Sequence, residues 1–207
     1  IKELKKLGFS TEIMVIDNGS EDRTSHIARE NGARVIIQPI KGYGNAYKAG
    51  FWNAMGNIIA TGDADLTYPF ERLVEFVKII EKEKIDFLNT DRLTWVTSKS
   101  MHWTHNFGNW FLTKLCKILY PGFPFKDSQS GMWIFRGDIW PKLKVNSSGM
   151  PFSQELKIEV YHRGFKCKEI PIEYRARVGK VKLRGLRDAF GNTWQLFKKR
   201  ISLWIKG

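Results

Sequence analysis

Two aspartates one residue apart, Asp63 and Asp65, follow a short apolar run at Ile58–Ala60. The run reads as a buried strand, and the acidic part as its carboxyl end turning out of a sheet. In an extended chain, side chains at i and i+2 point the same way, so both carboxylates can converge on one cation. Oxygen ligands suit Mg²⁺ or Mn²⁺, and Mg²⁺ is commonly held by few carboxylates together with substrate phosphates. The same residues also read as an acidic turn in which Asp65 caps the helix after Pro69.

Three further polar clusters sit where ligands could bind. Asp17 and Asn18 close a strand at residues 12–16, a position where open α/β sheets take ligands and where ordinary strand-to-helix turns also occur. Asp22 can cap the helix that follows, to about Asn31. Lys41 and Gly42 open a Lys-Gly-Tyr-Gly segment after a strand at 35–37. Glycines there allow a backbone to approach a ligand, Lys41 can meet a phosphate, and a helix from 45 to about 55 aims its amino end at the same place. A flexible turn would have the same composition. Asp127 and Gln129 lie in a polar turn among apolar neighbours, either an Asx-turn that begins the strand at 132–135 or part of a reaction cleft. Glu155, early in a helix over 153–162, reads as a cap-region carboxylate rather than a catalyst.

The elements that must position these groups repeat as strand, polar loop, helix through the first ninety residues. That pattern predicts an α/β fold with a mostly parallel sheet and right-handed crossovers, which gathers the polar loops on one edge. Phe70, Leu73, Val74, Val77 and Ile80 form a helical stripe facing the sheet. Residues 92–105, with His102 and His105, read as a polar loop, a candidate lid or acceptor loop, before a helix at 109–119. A strand at 166–172 follows Gly164. Residues 1–9 resemble the end of a helix, so a preceding strand is expected to be missing from the sequence.

The formal charge of +13, from 34 Lys and Arg against 21 Asp and Glu, points to phosphates: nucleic acid, an anionic membrane or a phosphorylated substrate. Two cysteines and four scattered histidines give neither a disulfide framework nor a zinc cluster. Nothing matches a zinc finger or an RNA-binding strand signature, so nucleic acid is the weaker use of the charge. After Tyr174 come Arg175, Arg177, Lys180, Lys182 and Arg184, then Leu186, Phe190, Trp194, Phe197, Ile201 and Trp204 at helical spacing. A basic, aromatic helix of this kind reads as membrane-interfacial, or as a helix packed on the sheet with its charges in solvent. The division expected is a catalytic domain over 1–183 and an interfacial helix over 184–207.

Taken in order, the Asp17-to-Thr24 loop, Lys41-to-Ala46, Gly62-to-Pro69, Asp127-to-Met132 and Tyr174-to-Leu183 segments resemble glycosyltransferase family 2, in its polyprenyl (dolichyl) phosphate hexose synthase branch. The resemblance covers nearly the whole chain and implies a GT-A fold, a nucleotide-diphospho-sugar sandwich around a mixed sheet. The family's usual first strand, at the nucleotide, has no counterpart here. The resemblance implies that Asp17 contacts the nucleoside and Lys41 the donor diphosphate, and that Asp63 and Asp65 form the DxD motif around Mg²⁺ or Mn²⁺. It puts Asp127 and Gln129 on the acceptor side, with Asp127 orienting substrate, stabilising positive charge at the anomeric carbon or acting as base. Arg177 and Lys182 become phosphate clamps; Val181 stands where serine is usual. The implied reaction is inverting transfer of a hexose from GDP-mannose or UDP-glucose to a polyprenyl phosphate, at the cytoplasmic face of a membrane. The alternatives are a transferase acting on soluble or glycan acceptors and a non-catalytic anion-binding module at membranes. No oligomeric state follows from the sequence.

Overall fold

The computed structural model describes Lys6 and residues 9–95, 103–177 and 185–206. The expected helix end at 1–9 apart from Lys6 and Phe9, half of the candidate lid (96–102), and Gly179, Lys180, Val181, Lys182, Leu183 and Arg184 of the tail pattern therefore lie outside the described residues. Strand β1 (Met14–Asp17) pairs in parallel with β2 (Arg34–Ile37) across helix α1 (Thr24–Glu30). Helix α2 (Tyr43–Asn53) leads to β3 (Ile58–Ala60), and α3 (Leu73–Glu83) to β4 (Phe87–Asp91). Then come α4 (Trp103–Leu119), β5 (Trp133–Arg136), α5 (Phe152–His162), β6 (Cys167–Pro171) and α6 (Gly185–Lys206).

The second sheet runs β3-β5-β4-β6. Strand β5 is antiparallel to both β3 and β4, and β4 is parallel to β6. Three of its strands thus share a direction, and the reversed β5 wedges between β3 and β4. Its residues Trp133, Ile134 and Phe135 are fully buried, as a central strand covered on both faces requires. Alternation sends Trp133 and Phe135 to a core with Phe51, Phe152 and Leu156, and Met132 and Ile134 to a core with Leu73, Phe76 and Ile80. The α3 stripe packs there as expected through Leu73 and Ile80, with Phe70 and Val77 partly buried beside them, while Phe76 rather than Val74 completes it.

Helix α4 begins at Trp103, one and a half turns earlier than its apolar pattern suggests. Helix α6 joins the body: Leu196 is fully buried in the first core, and Tyr120 donates to the Leu196 carbonyl at 2.8 Å. Its outer face is apolar too, with Phe190 at 75%, Trp194 at 64% and Trp204 at 81% exposure. The helix thus packs on the body through one face and leaves aromatic side chains exposed on the other. Among the described residues no helix is long and apolar enough to cross a membrane.

Candidate active site

The polar groups of the candidate site gather beyond the carboxyl ends of β3 and β4. Beyond β3, Thr61 is pinned to the Gly131 carbonyl at 3.0 Å, and Gly62 lies under Phe70, whose ring would stand 2.5 Å from an added Cβ. The chain then turns through Leu66 at φ +66°, a left-handed conformation costly for a leucine and common at ligand clamps. This turn brings Thr67 back onto Asp65, whose Oδ1 accepts from the Thr67 amide at 3.2 Å and hydroxyl at 2.6 Å. Asp65 Oδ2 pairs with Arg177 Nε at 2.9 Å. Asp65 thus closes its own turn rather than capping the following helix, which has no side-chain cap.

Asp63 accepts from Tyr47 Oη at 3.3 Å. Burial and then the neighbouring Asp65 charge push its carboxyl pKa up, while Arg177 and Arg92 pull it down. The structure therefore brings Asp63, Asp65 and Arg177 into one electrostatic neighbourhood. Two close carboxylates, one raised by the other, suit a divalent cation. Among the described residues no cluster of three or more acidic, histidine or cysteine side chains could hold one unaided. Asp63 and Asp65 are a pair that could hold a cation together with substrate oxygens.

Asp127 is fully buried and locked to Arg92. Arg92 donates to its Oδ2 from Nε at 2.7 Å and from the backbone at 3.2 Å, and to Oδ1 from Nη2 at 3.0 Å. The Gln129 amide takes the remaining place on Oδ1 at 3.0 Å. Burial would raise this carboxyl, but the Arg92 charge and hydrogen bonds outweigh it and hold the pKa below the usual range. Every lone-pair direction of Asp127 is occupied, an arrangement that suits, among the roles considered, a fixed anion positioning Arg92 rather than a base. Arg92 itself, stacked on Tyr174 at 5.3 Å, had no distinguishing signal beyond its place after a buried strand that ends in polar residues.

The loop of Asp127 and Gln129 is held from all sides. Glu169 accepts from the Lys126 and Asp127 amides at 2.7 and 3.1 Å, and Asn89 donates to the Asp127 carbonyl at 3.0 Å. Tyr68 Oη accepts from the Gly131 amide at 2.8 Å, and Tyr47 Oη donates to its carbonyl at 3.3 Å. A Cβ on Gly131 would sit 2.7 Å from Tyr43 Oη, so only glycine fits among these hydroxyls. From below, the fully buried Lys157 donates to the Ser128 and Ser130 carbonyls at 2.9 and 2.8 Å. Burial brings its pKa down to about 7.

Lys157→Met should therefore cost about 1–3 kcal/mol for each carbonyl left without a donor. The folded lysine releases its proton near 7 and the unfolded one near its ordinary 10.5, so the unfolded chain binds more protons between these values. Wild-type stability should accordingly rise with pH across that window. Urea unfolding from pH 7 to 10 should show the gap between wild type and variant widening; a constant gap would contradict the neutral buried lysine.

The β1–β2 arm holds the other predicted residues. Asp17 accepts from Ser20 N at 2.8 Å and from the Ser25 hydroxyl, and these bonds lower its pKa. Asn18 donates to the Gln38 and Ile40 carbonyls, each at 2.9 Å, and accepts from Gly42 N at 2.7 Å. Its side chain thus bolts down the loop that carries Lys41, which lies over Gly19. The glycines of that loop make close protein contacts. A Cβ on Gly42 or Gly44 would meet the Ser148 or Ser147 carbonyl at 2.4 Å, and Gly42 has φ +146°. Helix α2 joins this arm to the Asp63 cluster, with Gly42 as its N-cap and Tyr47 in its second turn. Gln129 turns its amide nitrogen to Ser128 Oγ and Gln154 Oε1, at 2.9 and 3.0 Å. Glu155 does not cap its own helix; it accepts from the Asn146 and Ser147 amides at 3.2 and 2.8 Å.

A mixed α/β sheet with paired carboxylates and an arginine at its edge agrees with the GT-A fold. Solved structures agree on the fold: glucosyl-3-phosphoglycerate synthase from Mycobacterium tuberculosis, in complex with Mn²⁺, uridine-diphosphate and phosphoglyceric acid, superposes with a TM-score of 0.72 at 20% identity, over 97% of this chain and 71% of that one. The sequence profile of Glycosyl transferase family 2 matches residues 1–139, and the chain belongs to that family. It is 38% identical over 189 residues to the low-salt glycan biosynthesis hexosyltransferase Agl6 of Haloferax volcanii, covering 90% of this chain and 45% of that protein. It is 35% identical over 173 residues to a dolichyl-phosphate hexose transferase of the same organism, covering 83% of this chain and 73% of that protein. The chain thus spans about half of the first relative and nearly three quarters of the second.

Proposed function

We propose that this glycosyltransferase moves a hexose from a nucleotide sugar, GDP-mannose or UDP-glucose, to the phosphate of a polyprenyl or dolichyl phosphate. The observation that carries the reading is the convergence of Asp63, Asp65 and Arg177 at the sheet edge, in a chain 35% identical to a dolichyl-phosphate hexose transferase. In the reaction a phosphate oxygen of the acceptor bonds to the anomeric carbon as the bond to the nucleoside diphosphate breaks, with inversion. Asp63 and Asp65 would hold Mg²⁺ or Mn²⁺, which when bound supplies positive charge to the leaving diphosphate. Arg177, kept at Asp65, adds a fixed cation beside the same charge. An acceptor phosphate is already ionised at neutral pH and needs no strong base, which agrees with an Asp127 whose lone pairs are all engaged. An alcohol acceptor would need a base, and this favours the lipid phosphate over a soluble glycan.

The exposed Phe107, Trp110 and Phe111 of α4 and Phe190, Trp194 and Trp204 of α6 support a seat on a bilayer surface, where the acceptor resides. The cytoplasmic face, with its anionic headgroups, suits the positive chain. The test incubates the enzyme with Mg²⁺ or Mn²⁺, labelled UDP-glucose or GDP-mannose, and either vesicles carrying polyprenyl phosphate or free sugars. Label should enter the organic phase with one nucleotide sugar. Product confined to water would overturn the lipid acceptor, and absence of any transfer or hydrolysis would favour a binding module.

A further inference from the structure

Four buried polar side chains lie away from the reacting groups: Gln154, Glu155, Glu159 and Lys199, each no more than 6% exposed. They form two branches that share helices α5 and α6. On one branch, Gln129 Nε2 donates to Gln154 Oε1 at 3.0 Å. Gln154 Nε2 in turn donates to the Asn192 carbonyl at 2.6 Å and to Gln195 Oε1 at 2.9 Å, both on α6. On the other branch, Lys199 of α6 reaches Glu155 at 3.3 Å, Glu159 at 2.5 Å and the Lys144 carbonyl at 2.7 Å. Glu155 holds the Asn146 and Ser147 amides, and Glu159 the Lys144 amide at 3.1 Å. The held segment supports the amino end of α2: Asn45 N donates to the Ser148 carbonyl at 3.2 Å, and Gly42 and Gly44 are closed against it.

We propose that Gln154 and the Lys199–Glu155 pair are positioning residues, through which the seating of α6 sets both walls of the cleft. Gln154 holds the Gln129 loop, and Lys199–Glu155 holds the Lys41–Gly42 loop. The two branches leave adjacent residues of α5 and meet α6 about one to two turns apart, so α6 is a common strut rather than an appendage. A buried carboxylate deprived of its cation is costly, so the Lys199 branch cannot be cut silently. The proposal assigns the Lys41 loop to the donor and the Gln129 loop to the acceptor, and in that assignment it rests on the function proposed above.

The experiment uses the full chain with Gln154→Leu, Lys199→Met and Lys199→Arg, measuring KM for donor and acceptor separately, nucleotide affinity by calorimetry, and amide hydrogen exchange. Lys199→Met should raise the donor KM and weaken nucleotide binding roughly 10-fold, a change of about 1.4 kcal/mol, with faster exchange at residues 144–148. Lys199→Arg should restore both. Gln154→Leu should raise the acceptor KM by a similar factor, with faster exchange at 127–131 and donor affinity unchanged. Equal changes in both KM values that follow the loss of melting temperature, or unchanged exchange at both loops, would overturn the proposal. Should the wild type transfer to none of the acceptors offered, the function proposed above fails instead, while nucleotide affinity and exchange still decide the Lys199 branch.

Discussion

Asp65→Ala is expected to lower the transfer rate roughly 10²–10³-fold, the scale on which loss of one preorganised charge-stabilising group acts. The effect should be large because Asp65 does two things. Its Oδ2 fixes Arg177 at 2.9 Å, and its Oδ1 holds the turn through Thr67. Removal leaves Arg177 without its anchor and Asp63 alone at the proposed cation position. Asp65→Asn separates these effects, since the amide oxygen still accepts from Thr67 while the charge is gone. If charge is what matters, Asn should be nearly as inactive as Ala but retain the melting temperature of the wild type. Steady-state kinetics with saturating Mg²⁺ or Mn²⁺, beside a thermal melt, measure both. Full activity in Asp65→Ala would remove this residue from the mechanism, and unchanged turnover after thorough chelation would remove the cation.

Much of this site is legible in the sequence because strand periodicity and polarity carry it. Asp63 and Asp65 follow an apolar run, and their two-residue spacing predicts the shared neighbourhood seen here. Asp17 ends a strand in the same way. The pairing of β5 is not legible, because an apolar run at 132–135 says that a strand is buried and nothing about the direction of its neighbours. Gly42 and Gly44 show why a glycine motif is ambiguous: it reports that a Cβ does not fit, and here the space is filled by Ser147 and Ser148 carbonyls of the same chain.

Helix α6 misleads for a related reason. Phe190, Trp194, Phe197, Ile201 and Trp204 form the evident apolar stripe, yet each is exposed. The face against α4 and α5 is Asn192, Leu196, Lys199 and Leu203, the same spacing displaced by two residues, which is about half a turn. Its inward lysine looks like a solvent residue until its partners, Glu155 and Glu159, are known. Lys157 and Arg92 are hidden likewise, since a charged residue advertises burial only through a partner distant in sequence.

Asp127→Ala should be the most destabilising single change at the site, by about 3–5 kcal/mol, the usual result of stripping one partner from a buried ion pair. It strands the Arg92 guanidinium, 8% exposed, and releases the Gln129 amide. The pH dependence has a definite sign. Asp127 has its folded pKa depressed by Arg92, so its contribution is present above the unfolded carboxylate pKa and is lost as pH falls through the folded value. Wild type and variant should therefore converge in stability in acid, below the ordinary carboxylate range. Replacing both partners, Arg92→Met with Asp127→Leu, should recover much of the loss, because no charge is then left buried alone. Activity distinguishes this from acid–base chemistry. A base lost in Asp127→Asn would depress kcat and erase a limb of the pH–rate profile. A positioning anion instead leaves the profile in place and lowers kcat/KM for the acceptor as Arg92 loses its orientation. Chemical denaturation of the single and double variants from pH 3 to 8, with the pH–rate profile of Asp127→Asn, decides between them, and a vanished limb would return Asp127 to the role of base.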